Sequence, residues 1–133
     1  MYSSYLLYSG GVLKGKNEHV TQQTDIMPTI LDYLNFDKSF FAFGQSAFDS
    51  ISSGYAVNYN SGIYQIISGD YTFQFDGTSS IGLYNYKTDS LMKRNLLTKN
   101  PPLALQLSNR LKAIIQTYNH ALIKNRMTAA VYE

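Results

Sequence analysis

Between Gly54 and Tyr86, apolar and polar positions alternate in short runs separated by turn-forming residues, the pattern of an antiparallel meander. Tyr71, Phe73 and Phe75 alternate with Thr72, Gln74 and Asp76, so a period of two sets three rings on one face of a strand and three polar groups on the other. Such a strand is half buried. Before it, Ile63, Tyr64, Ile66 and Ile67 form an apolar run joined to it through Ser68, Gly69 and Asp70, a connection short enough for a tight hairpin. Tyr55, Val57 and Tyr59 supply the preceding strand. Asn60, Ser61 and Gly62 predict a three-residue connection in which glycine takes the positive φ of a bulged hairpin. Ile81 to Tyr86 completes four strands. Burying one such aromatic side chain contributes about 1.5–3 kcal/mol, so the aromatic face calls for an amphipathic cover.

That cover is the end of the chain. Asn100 is a candidate N-cap, and proline at the first helical position lacks only an amide hydrogen that would be orphaned anyway. Leu103, Leu107, Leu111, Ile114, Tyr118 and Leu122 then recur at steps of three or four, one apolar stripe widened by Ile115 and Ala121. A shorter helix is predicted from Thr24 or Asp25 to about Asn35, with Asp25 as N-cap, Pro28 in the first turn, and Ile26, Ile30, Leu31 and Leu34 at helical spacing. Phe36 to Phe43 reads as a connection packed down by its own rings, followed by Gly44, Gln45 and Ser46. Near the amino terminus, Tyr5 to Tyr8 is an uninterrupted apolar run, the signature of a strand buried on both faces of a parallel sheet. No second run of that kind follows through a crossover helix, so this strand lacks neighbours; pairing as a fifth, antiparallel strand is the alternative.

The chain has 133 residues, the size of one domain able to bury a real core. Eleven basic residues against nine acidic give a formal charge of +2, too weak a bias for nucleic acid or an anionic membrane surface. There is no cysteine, so disulfides and thiolate metal sites are excluded. Twelve tyrosines and no tryptophan suit half-wet sheet faces, where the ring packs and the hydroxyl stays hydrated. No run approaches the length of a membrane helix, and Met1 to Gly11 lacks the basic start of a secretory signal.

Candidate chemistry is sparse. The two histidines, His19 and His120, fall in a loop and on the last helix, and His120 lies well round from the apolar stripe. Glu18 beside His19 is not a metal site. Asp25 and Asp32 share a helix face two turns apart, too far for paired-carboxylate work, while Asp70 and Asp76 sit beside glycines as turn residues. The Tyr71, Phe73 and Phe75 face offers either a stacking platform for bases or sugars or the packing surface for the last helix, and the helical stripe favours packing. No residue is singled out as catalytic, cofactor-binding or metal-ligating.

Two segments add a resemblance. Residues 19–35, HVTQQTDIMPTILDYLN, followed by Gly44, Gln45, Ser46, Ala47 and Phe48, resemble a stretch of sulfatases and of lipoteichoic acid synthase-like phosphoglycerol transferases, in which an aspartate and a Pro-Thr pair open a helix shortly after the metal-binding Asp-His of the active site. Residues 82–97, GLYNYKTDSLMKRNLL, are similar to the sulfatase segment that closes the small carboxy-terminal sheet, with Asn85, Ser90 and Met92 where that segment has aspartate, proline and glutamate. The resemblance implies a carboxy-terminal subdomain of an alkaline-phosphatase-superfamily enzyme acting on sulfate or phosphate esters. The nucleophile and most ligands of its divalent metal would lie ahead of the segment matching Tyr5 to Tyr8. The fold expected is α+β: a four-stranded antiparallel meander packed by a long carboxy-terminal helix, with an amino-terminal strand and helix left over from a larger α/β sheet. Residues 1–50 would be the remnant and 51–133 the antiparallel unit of one domain. The wording around Asp25 and the Tyr118-Asn119 ending look closer to the transferase branch, whose members are usually membrane-anchored with the catalytic domain outside the cytoplasm. The fragment itself is then expected to be soluble, to pair with the upstream catalytic domain, to self-associate through Tyr5 to Tyr8 or through Ile30 and Leu34, and to contact neither nucleic acid nor membrane. A free-standing glycan- or peptide-binding module using the tyrosine-rich sheet is the alternative. The loop Gly15 to Thr24 is expected to form one rim of the parent's substrate cleft.

Overall fold

The computed structural model describes residues 19–49 and 54–128. The Tyr5–Tyr8 segment, and with it the choice of its sheet partner, lies outside the described residues. A single 3-10 turn, Gln23–Asp25, leads directly into helix α1 (Ile26–Tyr33). Four strands follow, β1 (Tyr55–Asn60), β2 (Ile63–Ser68), β3 (Tyr71–Phe75) and β4 (Ser80–Asn85), and then the long helix α2 (Pro101–Ile123). The strands form one antiparallel meander in chain order, and the class is α+β.

Hairpin chemistry sets the register. Asn60 pairs with Ile63, so the first connection is two residues, Ser61 and Gly62, not the three expected. Both carry positive φ, 51° and 85°, the type I′ arrangement whose twist matches that of the flanking strands. Asn60, expected in the loop, instead continues the ladder. Ser68 pairs with Tyr71, leaving Gly69 and Asp70 as the second two-residue connection, with Gly69 at φ 56°. Between β3 and β4 the Asp76 carboxylate accepts from the N–H groups of Thr78 and Ser79, an Asx turn that holds the chain reversal, and the ladder slips at Gln74 and Phe75.

This register aligns Val57, Ile66, Phe73 and Leu83 across all four strands. Ile66, Phe73 and Leu83 are buried, and Ala104, Leu107 and Leu111 of α2 pack onto them. The face carrying Phe73 and Phe75 is therefore the core. Asn100 caps α2 by accepting from Leu103 N–H, and Pro101 occupies its first position. The apolar stripe of α2 covers the sheet only along its first half. Leu107 and Leu111 are buried, Ile114 is half-buried, and Tyr118 and Leu122 are exposed. A helix of 23 residues outruns a sheet whose strands are five or six residues long, so its last turns meet a loop instead. There Phe43 packs against Tyr118 at 5.1 Å between ring centroids, and against Phe41 edge-on at 5.0 Å.

Both helices end alike. Asn35 and Asn125 hold φ near +50°, and the following N–H groups of Phe36 and Arg126 reach back to the carbonyls of Leu31 and Ala121. This is the Schellman closure, with asparagine where glycine is usual. On the opposite sheet face one polar position departs from expectation. Thr72 is 1% exposed, and its Oγ1 has no hydrogen-bond partner among the described residues. It sits on inner strand β3 between Ile67 and Tyr84 in register, and such large neighbours bury a small side chain whichever face it occupies.

Candidate functional site

The residues carrying the first resemblance fold into one hydrogen-bonded clamp. Asp25 is 4% exposed and lies at the end of the 3-10 turn, so its side chain does not cap α1 as expected. Its Oδ2 turns back to accept from Gln22 N–H and its Oδ1 accepts from Gln45 N–H, each at 2.8 Å. One turn on, Thr29 is equally buried. Its hydroxyl donates to the Asp25 carbonyl and accepts from Ala47 N–H at 2.9 Å. Asp32, on the same side of α1, accepts from the Ser46 hydroxyl. Positions 25, 29 and 32 therefore line one helix edge, the i, i+4, i+7 geometry, and hold the loop from Gly44 to Ala47. Gly44 permits this. A Cβ there would stand 2.1 Å from the Thr24 carbonyl oxygen, so only glycine lets the two backbones approach.

The clamp is tied to the sheet along β1. Gln22 Oε1 accepts from Val57 N–H at 3.0 Å, filling a position on the open edge of that strand. Gly54 lies so close to Val20 that a Cβ would meet its carbonyl oxygen at 2.1 Å. Tyr55 donates its hydroxyl to the Phe43 carbonyl at 3.2 Å, while the Arg110 guanidinium lies 4.6 Å from its ring centroid and donates to Ser68 Oγ. Burial pushes the Tyr55 phenol above its ordinary value, opposed by the Arg110 charge and reinforced by Asp25. Residues 19–24 of the expected rim loop thus run beside β1.

The second resembling segment closes the other edge. Asn95 Oδ1 accepts from the N–H groups of Leu83 and Leu97, its Nδ2 donates to the Ile81 carbonyl, and Leu96 N–H donates to the Leu83 carbonyl at 2.7 Å. A side-chain amide here does what a fifth strand would do. Asn85 accepts from Lys87 and Thr88 N–H, and Asp89 accepts from Arg94 N–H, which shapes the intervening turns. These backbone donors hold the Asp89 carboxyl below the ordinary carboxylate range, and Thr78 and Ser79 do the same for Asp76.

Chemistry is constrained by what these groups already do. Both oxygens of Asp25 accept backbone hydrogen bonds, so the carboxylate is taken up in holding the clamp together. A niche of about 10 Å³, the size of one water, lies among His19, Thr21, Asp25, Gln45 and Asp49. Among the described residues, no three His, Cys, Asp or Glu side chains are grouped so as to hold a metal ion. The described residues therefore offer no ligand set for the divalent metal that the resemblance implies. His120 is exposed on the last turns of α2, beside an open groove formed with Phe41, Ile123 and Arg126. No helix among the described residues is long and apolar enough to cross a membrane.

Sequence reasoning missed the structural work of Thr29, Gln45 and Asn95. The Pro-Thr pair was a usable signal, since threonine after proline in a first helical turn can bond back to a carbonyl four residues earlier. For Asn95 no local signal exists. No protein-family model matches the chain, and no curated protein matches it either.

Proposed function

We propose that this chain is the non-catalytic carboxy-terminal subdomain of a sulfatase-like or phosphoglycerol-transferase-like metalloenzyme acting on sulfate or phosphate esters. The observation that carries the reading is the outer face of α1. Ile26, Met27, Ile30, Tyr33 and Leu34 are between 41% and 65% exposed on a single short helix whose inner edge is fully used by the clamp. Five large apolar side chains side by side on eight or nine residues form a surface that ordinarily packs against another body. In this reading the body is the catalytic domain ahead of Met1, which supplies the nucleophile and the metal ligands, is anchored to a membrane and works outside the cytoplasm. The clamp and the Asn95 closure hold the subdomain's shape while α1 docks. Further support is that Asp25, Thr29, Asn85, Asp89 and Asn95 of the two resembling segments each bond to backbone groups, as suits a subdomain without its own reaction.

The test has two arms. Sulfatase and phosphodiesterase assays of the chain with Mg²⁺, Mn²⁺, Ca²⁺ or Zn²⁺ are expected to show no turnover, and robust turnover overturns the reading. Sequencing the gene upstream of Met1 is expected to reveal a nucleophile and an Asp-His metal motif in the same frame. A stop codon there overturns it as well.

A further inference from the structure

The four strands contain no Asp, Glu, Lys or Arg. One face of the sheet is the core against α2, so charge is not missed there. The other face is not covered by α1 or α2, and solvent-facing strands commonly carry charges that discourage association. Here the register instead aligns Asn58 with Gln65, Gln65 with Gln74, and Gln74 with Gly82, a row of three carboxamides ending on a glycine. None of the three carboxamides hydrogen-bonds to another described residue. Over Gly82 lies Tyr84. A Cβ at Gly82 would stand 2.4 Å from the Tyr84 ring carbon Cε2, so the ring is laid across the strand and only glycine lets it settle there. One side of the ring rests on the backbone, and the residue as a whole is half-buried.

We propose that this outer face binds a neutral glycan, with the carboxamides of Asn58, Gln65 and Gln74 engaging hydroxyls and the Tyr84 ring stacking on a sugar face. Each carboxamide both donates and accepts, as a sugar hydroxyl does. With strands spaced about 4.8 Å, the row from β1 to β4 spans about 14 Å, long enough for a few linked pyranoses. The lack of formal charge in the strands sets the class. Nucleic acids and anionic glycans draw most of their affinity from Lys and Arg, which the strands do not offer. An extended peptide adds to a sheet edge, and β4 has its edge filled by Asn95 and Leu96 while β1 is partly filled by Gln22. The inference does not rest on the parent-enzyme reading, because it concerns the face away from α2 and uses none of α1.

The experiment is a ¹H–¹⁵N NMR titration of the chain with cellohexaose, maltohexaose, laminarihexaose and chitohexaose, with oligo-dT and a heparin oligosaccharide as charged controls. The expected result is saturable shifts of the Asn58, Gln65 and Gln74 side-chain amides with at least one neutral hexasaccharide, unchanged between low and high salt. Tyr84→Ala is expected to weaken binding about tenfold, as one lost stacking contact does. A double Gln65→Ala, Gln74→Ala variant, at half-buried positions on the face away from the core, is expected to weaken it several-fold with the backbone spectrum altered only near the two sites. The proposal is overturned if no neutral oligosaccharide shifts these amides, if only the charged controls bind, if the shifts map to α1, or if the double variant binds as well as the parent. Absence of esterase turnover has no bearing on these outcomes, so failure here and failure of the proposed function are separable.

Discussion

Gln45 donates its backbone N–H to Asp25 Oδ1 at 2.8 Å, across 20 residues of chain. The bond joins the start of α1 to the loop that returns past it, and Asp25 is the residue on which Gln22, Gln45 and, through its carbonyl, Thr29 all converge. Asp25→Ala would leave two backbone donors without their charged acceptor in a buried place, at a cost of about 2–3 kcal/mol. Urea unfolding should show the loss, and proteolysis should cut within residues 36–48 sooner than in the parent. Thr29→Val, which keeps the shape and removes one hydroxyl, is expected to cost about 1–2 kcal/mol.

At the far edge of the sheet, Asn95→Ala removes an acceptor for Leu83 N–H and a donor to the Ile81 carbonyl. The expected destabilisation is about 1–2 kcal/mol, and it should come with aggregation, because an opened strand edge templates pairing. Light scattering during refolding reads the second effect. Unchanged scattering together with unchanged stability would mean that Asn95 does not close β4.

The first hairpin offers a gain. Ser61 sits at φ 51° in a two-residue turn where an L side chain other than Asn or Asp is disfavoured. Ser61→Asn creates the favoured Asn-Gly pair and should raise stability by about 0.5–1 kcal/mol. Thermal unfolding with a midpoint below the parent's would count against the turn geometry.

Acid stability should trace to two surface carboxylates. Backbone donors lower the carboxyl pKa of Asp76 and of Asp89 in the fold, so the folded state binds fewer protons than the unfolded one as pH falls. Their contribution is then present above the unfolded carboxylate value of about 3.9 and is lost as pH drops through the depressed folded value. A double Asp76→Asn, Asp89→Asn variant should unfold at lower urea than the parent at neutral pH. Its midpoint should approach the parent's once pH falls below the carboxylate range. A constant gap at every pH would show that charge is not the cause.

The exposed α1 face gives a fifth expectation. Ile30→Lys and Leu34→Lys change residues that are 44% and 65% exposed, so stability should hold within about 0.5 kcal/mol. If this face mediates self-association, sedimentation should shift from oligomer towards monomer in the double variant. A parent chain that sediments as a monomer at high concentration removes that role.

Much of the architecture is legible in the sequence. Alternation at Tyr71, Phe73 and Phe75, the glycines at 62 and 69, and the Asn-Pro-Pro start of α2 each express a local backbone preference, and each stands where the periodicity placed it. The stripe on α2 was legible as a stripe but not in its extent. Leu107 and Leu122 carry the same apolar signal, and only the width of the sheet decides that one is buried and the other exposed.

The clamp lies at the other extreme. Asp25 reads locally as a helix cap, since a short acceptor before an apolar-periodic run is what a cap looks like. Beside the local N–H of Gln22, it holds the distant N–H of Gln45, which arrives only because Gly44 can touch the backbone at Thr24. The amino-acid order by itself determined the four strands of the meander, the places where they turn though not the length of the first turn, and the two helices, because those depend on neighbours a few positions apart. That Thr72 would be buried on its polar face, which edge Asn95 would fill and what Asp25 would hold were decided by the tertiary structure. A hydrogen bond between distant residues depends on where whole loops come to rest, and no short-range pattern records that.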